Sequence, residues 1–186
     1  MQTPRDDFDT AWKKMVQRYF RDFVAFFFPA VHRDIDWQRG VEFLDKELQQ
    51  AVRVAGRGRR TVDVLAKVWT QAGEETWVLV HVEVQSQVDK GFAQRMYVCN
   101  SVLSARHKRA IASFGILGDT NRNWRPCSYS HERWGCRASL VFPVVKLLDF
   151  EDCWAKLERS ANPFAVVVAA HLRSQTTRRH PETRLQ

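Results

Sequence analysis

The sequence predicts a mixed α/β domain, and three observations carry that expectation. Two runs near the middle of the chain, TVDVLAKVW (61–69) and WVLVHVEVQ (77–85), alternate with period two, the mark of strands with two unlike faces. Segments before and after them repeat apolar residues at three- and four-residue steps, the mark of helices. The chain has 186 residues, enough for one sizeable core and short for two.

Each element follows in order. Over 9–28, Trp12, Met15, Tyr19, Phe23 and Phe26 fall on one helical face, and Pro29 is expected to end that helix. A second helix is expected over 41–53, with Val41, Leu44, Leu48 and Val52 as its apolar stripe and Glu47 beside it. The glycines of AGRGRR (55–60) break it. The two strands then form a hairpin, with Gly73 in the loop supplying a backbone angle that other residues resist. A helix at about 92–109, a buried strand AIASFGILG (110–118), a polar loop and a further strand SLVFPVVKLL (139–148) come next. Short helices near 151–159 and 163–172 complete a sheet flanked by helices. One domain is expected over 1–175, with the polar end 176–186 as a frayed tail or a cut point.

Composition narrows the partners. Hydrophobic residues make up 45% and aromatics 12%, which is globular and not disordered. Lys and Arg number 29 against 21 Asp and Glu, a net charge of +8. Such a field favours polyanions, nucleic acid first and an anionic membrane second; a merely basic protein is the plain alternative. The start of the chain has no signal-peptide pattern, and the longest apolar run, 23–30, is too short to span a bilayer. Cys99, Cys127, Cys136 and Cys153 form no C-x-x-C pair, so a cytoplasmic protein with reduced thiols is expected. Cys127, His131 and Cys136 are too irregularly spaced, and lack a fourth ligand, for a zinc site. No phosphate-binding loop, G-x-S-x-G or dinucleotide fingerprint is present, which argues against nucleotide binding or a hydrolase triad.

The stretch HVEVQS (81–86) raises the functional question. Val82 and Val84 suit a buried face, yet His81, Glu83 and Gln85 share the other. A hairpin folded symmetrically about Gly73 sets Asp63 opposite Glu83, Leu65 opposite His81 and Lys67 opposite Leu79. Opposed residues lie about 4.5–5.5 Å apart at Cα, so two carboxylates there repel unless a cation sits between them. Mg²⁺ takes hard oxygen ligands, commonly one or two carboxylates with water and phosphate oxygens. The equal alternative is a solvated edge carrying two unrelated acids. Basic residues flank the acids in sequence: Arg53, Arg57, Arg59 and Arg60 before, and Arg106, Lys108 and Arg109 after. They would hold a nucleic-acid backbone by its phosphates. Arg95 would contact a phosphate or a carboxylate near the site, with a surface ion pair as the alternative. His81 reads as a hydrogen-bonded core histidine.

With these residues in view, Asp63 … Glu83-x-Gln85 resembles the motif of the PD-(D/E)XK nuclease superfamily. The similarity is greatest to its Rpn-type recombination-promoting nucleases, or YhgA-like transposases, in which Gln stands where the motif has Lys. FLDKELQQ (43–50), FAQRMYV (92–98), WRP (124–126), VKLLDFE (145–151) and NPFAVVVAAHL (162–172) extend the resemblance over about residues 19–180. It implies a restriction-endonuclease-like central sheet flanked by helices, and a Mg²⁺-dependent DNA endonuclease linked to recombination or transposition, with Mn²⁺ as an alternative ion. By the same resemblance Asp63, Glu83 and the carbonyl of Val84 bind the metal, Glu47 completes the acidic set and Gln85 takes the place of the catalytic Lys. Lys67 is set aside as a stand-in for that Lys, since four residues along a strand is about 13 Å. Two departures stand out. The helix after RMYV reads CNSVLSARHKR, and the chain stops soon after AHL where relatives continue. A catalytically inactive or truncated DNA-binding module of the same fold is the rival expectation. RNA is a further candidate substrate, and a homodimer would suit cleavage of both strands.

Overall fold

The computed structural model describes residues 4–54, 62–83 and 88–179, and the side chains of 11–51, 64–78 and 88–176. The fold is mixed α/β. A five-stranded sheet runs in the order β1 (Glu42–Phe43), β2 (Val62–Trp69), β3 (Glu75–Glu83), β4 (Ile111–Leu117), β7 (Val144–Lys146). Strand β2 runs antiparallel to both its neighbours, β1 and β3, and β3, β4 and β7 are parallel. A parallel pair needs a crossover, and α5 (Phe92–His107) supplies it between β3 and β4. Strands β5 (Ser128–Arg133) and β6 (Cys136–Val141) form a separate antiparallel ribbon. This architecture is consistent with a restriction-endonuclease-like core.

Helices cover both faces of the sheet. Val64, Ala66, Val68, Val78, Phe114 and Ile116 bury one face under α1 (Pro4–Arg18), α2 (Phe20–Phe27) and α7 (Pro163–Arg179). Phe23, Phe27 and Phe164 cluster there with centroids 5.0–5.8 Å apart, so the FVAFFF stretch is core. Leu65 and Trp77 lie on the other face against Leu44, Leu48 and Ala51 and against Cys99 and Leu103 of α5. Leu48 and Ala51 belong to α4 (Asp45–Val54). Gly115 lets α5 approach β4. A Cβ there would stand 3.1 Å from the Phe92 ring and 2.9 Å from Val144 Cγ1.

Several boundaries depart from the periodicity, each for a local reason. The first helix breaks at Tyr19, whose φ of −121° is not helical. Pro29 opens α3 (Pro29–Asp34) instead of ending a helix, because proline at the first position loses no helical hydrogen bond. The helix expected from 41 begins at Asp45. Glu42 and Phe43 instead pair with Lys67 and Ala66, and Glu42 ion-pairs with Lys67. The strand expected over 139–148 is cut by Phe142 and Pro143. Proline has no N–H for a ladder, yet its carbonyl accepts from Gly115 N at 3.0 Å, which docks β7 beside β4. Leu147–Cys153 is a 3₁₀ helix, followed by α6 (Trp154–Arg159). The ribbon β5–β6 occupies much of the expected polar loop, and α7 runs on to Arg179 past the expected end at 172. No helix among the described residues is long and apolar enough to cross a membrane.

Candidate metal and phosphate site

The carboxyl ends of β3, β4 and β7 meet at one edge of the sheet. Glu83 pairs in register with Leu117, and Leu117 with Lys146, so the three positions form one row. Strand β2 runs the opposite way, so its start, at Asp63, reaches the same end. Ligands of open α/β sheets commonly bind outside the carboxyl ends of the strands. By strand parity, positions 63, 81 and 83 share a face of the sheet with Leu65 and Trp77, the face that α4 and α5 cover. Glu47 is half-buried on α4, next to the buried Leu48.

The hairpin register differs from the symmetric fold. Asp63 pairs with His81, Leu65 with Leu79 and Lys67 with Trp77. The cause is the loop. The last pair is Trp69 with Glu75, Thr70 N donates to Glu74 O at 2.9 Å, and the centre falls on Ala72. Gly73, at φ +87°, sits one residue beyond that centre, where the chain turns back into β3. The direct pairing of Asp63 with Glu83 is therefore corrected to a diagonal one on the same face, about 7–8 Å between Cα atoms by strand geometry. His81, expected opposite Leu65, is the true partner of Asp63. The side chains of Asp63, His81 and Glu83 lie outside those described, and Val84 and Gln85 lie outside the described residues. Among the described residues no group of three or more His, Cys, Asp or Glu is placed to hold a metal ion.

The basic residues are distributed differently from their order in sequence. Arg57, Arg59 and Arg60 lie outside the described residues, as does the side chain of Arg53. Helix α5 starts near the carboxyl end of β3 and runs back, so Arg106, Lys108 and Arg109 reach the opposite end of the sheet, beside Ile111. Ile111 to Leu117 spans about 20 Å at the usual strand rise, so this stretch does not flank the acids in space. Arg109 instead faces Glu75, at 3.5 Å. Arg95 ion-pairs with Asp89, whose Oδ1 accepts from Gly91 N at 2.8 Å at the start of α5. That is a carboxylate contact and not a vacant phosphate contact.

Sequence reasoning overlooked a polar cluster at the same end. Lys146, fully buried, ion-pairs with the equally buried Asp119, two residues past β4. Its Nζ also donates to the carbonyl of Trp124 at 3.2 Å and lies 5.3 Å from that indole's centroid. Burial pulls the Lys146 pKa below the ordinary lysine value, and Asp119 opposes that pull. Nearby, Arg125 grips Asp149 with two hydrogen bonds of 2.8 and 2.5 Å, which holds that carboxyl below its ordinary pKa. Arg122 pairs with Glu151 at 2.6 Å. The available signal was Lys146 itself, a lone charge inside the apolar run VFPVVKLL, which must find a partner if buried. A cavity of about 400 Å³ between Phe26, Phe150 and Leu157 borders Asp149, but that carboxylate is already committed to Arg125.

The backbone brings positions 63, 81 and 83 to the end of the sheet that also holds the buried, self-neutralised Lys146–Asp119 ion pair. In comparison with known proteins, the chain matches no family model, no curated protein and no solved structure.

Proposed function

We propose that this protein is a Mg²⁺-dependent DNA endonuclease of the cytoplasm, acting in recombination or transposition. The observation that supports the reading is the gathering of Asp63 and Glu83 on one face, at the carboxyl end of β3 and β4, under the helix that carries Glu47. Asp63 and Glu83, with the Val84 carbonyl, hold the metal, and Glu47 supports them. Bound there, Mg²⁺ supplies a water of lowered pKa and offsets charge on the phosphate. Gln85 is neutral and orients the water or a phosphate oxygen by hydrogen bonds alone. His81, whose backbone position pairs with that of Asp63, would steady that carboxylate or take a proton. Arg53, Arg57, Arg59 and Arg60 contact the DNA backbone nearest the acids in sequence.

A second reading, an inactive DNA-binding module of the same fold, is favoured by one observation. Lys146, Arg125, Arg122 and Arg95 near the acidic end are each engaged by a carboxylate, which leaves less positive charge for a reacting phosphate. Nicking of supercoiled plasmid at low salt, with and without Mg²⁺, separates the two. The nuclease reading expects metal-dependent nicking that Glu83→Ala reduces to background while duplex binding persists. Folded wild-type protein that binds DNA and never nicks it, in Mg²⁺ or Mn²⁺, would sink the enzyme and leave the module.

A further inference from the structure

We infer that the tip of the β5–β6 ribbon is a base-stacking contact for a nucleic-acid strand, with Trp134 as the platform and Arg133 and Arg137 as phosphate contacts. Trp134 is 94% exposed, so it contributes almost nothing to the core. It also occupies a costly backbone position. Trp134 and Gly135 form the two-residue turn between the paired Arg133 and Cys136, with φ of +52° and +80°. Turns of this kind favour Asn or Asp followed by Gly, because a bulky L-residue is strained at positive φ. Neither burial nor turn geometry accounts for an indole here, and such outliers gather at functional sites.

The ribbon is held at its base and projects at its tip. Tyr97 of α5 packs against Tyr129 and His131, with centroids 5.1 and 5.7 Å apart, and Leu140 packs on the cluster of Phe92 and Phe142. A platform mounted this way is pre-ordered, so stacking on it loses little conformational freedom. The guanidinium of Arg133 lies 5.5 Å from the indole centroid, which braces the ring and sets a cation beside it. Arg137 follows on the returning strand opposite Glu132, so two arginines and one glutamate leave the tip positive.

The chemistry selects the occupant. An exposed indole with a guanidinium beside it offers a base a stacking face and its phosphate a cation, and stacking on aromatics is the common device of single-strand binders. A bilayer contact would need apolar neighbours, yet Trp134 is flanked by Arg133, Gly135, Cys136 and Arg137. A second copy would bring like-charged tips together. The inference rests on the proposed function for its partner class alone, and it requires neither metal nor cleavage. An intact duplex hides its base faces, so Trp134 favours unpaired strands.

The test is fluorescence anisotropy in EDTA at low salt, with the full chain and a labelled single strand or its duplex. Trp134→Asn is the main variant, because Asn accepts positive φ and the turn survives. Circular dichroism checks its fold. We expect about tenfold weaker single-strand binding for this variant and little change on duplex, with Trp134→Phe retaining most of the affinity. Arg133→Gln with Arg137→Gln should weaken both and lower the single-strand salt slope by about 1.4. Unchanged single-strand binding by Trp134→Asn would overturn the inference, as would wild-type binding to neither DNA. So would a concentration-dependent dimer, seen by sedimentation, that Trp134→Asn abolishes. These readouts are separate from nicking, so loss of cleavage in Glu83→Ala says nothing against the tip, and an inert Trp134 says nothing against the nuclease.

Discussion

Substituting Lys146 tests the polar cluster beside the acids most directly. Lys146 and Asp119 are both fully removed from solvent and joined to each other. Lys146→Met keeps the length and apolar bulk of the stem but deletes the charge. Asp119 then remains buried, with the Asn121 backbone N–H at 2.9 Å as a remaining donor. Breaking a buried pair from one side costs about 3–5 kcal/mol, because the orphaned charge stays desolvated. Against a typical domain stability of about 5–15 kcal/mol, that is a large share. Asp119→Asn should cost a similar amount by orphaning the ammonium. The double variant should recover most of the loss, since replacing both charges avoids the desolvation cost, and the coupling should reach at least about 2 kcal/mol. Urea unfolding followed by circular dichroism measures all four proteins at one pH, with equal slopes required for comparison. Single variants within about 1 kcal/mol of wild type, with no coupling, would refute the reasoning and mean that water reaches the pair.

Two further outcomes follow from the same end of the sheet. Asp149→Asn should cost at most about 1 kcal/mol at neutral pH, because the Arg125 pair is about half-exposed. Arg125 holds the folded-state pKa of Asp149 below its ordinary 3.8, so this contribution is complete above that value and fades as pH falls through the depressed one. Urea midpoints of wild type and variant should therefore converge in acid, and a gap that widens there would contradict the assignment. Gly115→Ala should destabilise by about 1–3 kcal/mol, since its methyl would press on Val144 and Phe92 at 2.9 and 3.1 Å. An unchanged melting curve would show that α5 does not press on β4 as described.

The sheet was legible where one residue type dominated a face. The period-two recurrence of Val64, Ala66, Val68 and Val78 located β2 and β3 within a residue or two, and their facing helices followed from apolar spacing. Register was less legible, because it depends on which loop residue adopts positive φ. Gly73 announced a turn but not that the turn would centre on Ala72, and a one-residue error at the centre moves the pairing by two. The acids kept their common face through that shift, since a two-residue step preserves side-chain parity. The β5–β6 ribbon was hidden by its sequence. SYSHER and CRASLV are mostly exposed on both sides, so neither shows the burial-driven alternation that marks a strand. The distant ends of α5 were a topological matter. Adjacency of RHKR to the motif in sequence became separation in space because the crossover between parallel strands must return the chain to the far edge.

The placement of charge follows from these corrections. The chain carries +8, yet four of the described cations around the acidic end are matched by a carboxylate: Lys146 by Asp119, Arg125 by Asp149, Arg122 by Glu151 and Arg95 by Asp89. Pairs of this kind build the rim of the site but add little net field beyond a Debye length of about 8 Å. Among the described residues, surplus positive charge also stands away from the acids, at Arg106 and Lys108 on the far edge and at the ribbon tip. A polyanion drawn by that field would be held at several separated points as well as near the acids. Under the proposed nuclease reading, its reacting phosphate would meet two carboxylates and a neutral Gln85 where the motif it resembles has a lysine. In such a site the charge that offsets the phosphate has to come from a cation held by Asp63 and Glu83. Cleavage should therefore depend more steeply on the divalent ion than binding does, and the two should separate cleanly in EDTA.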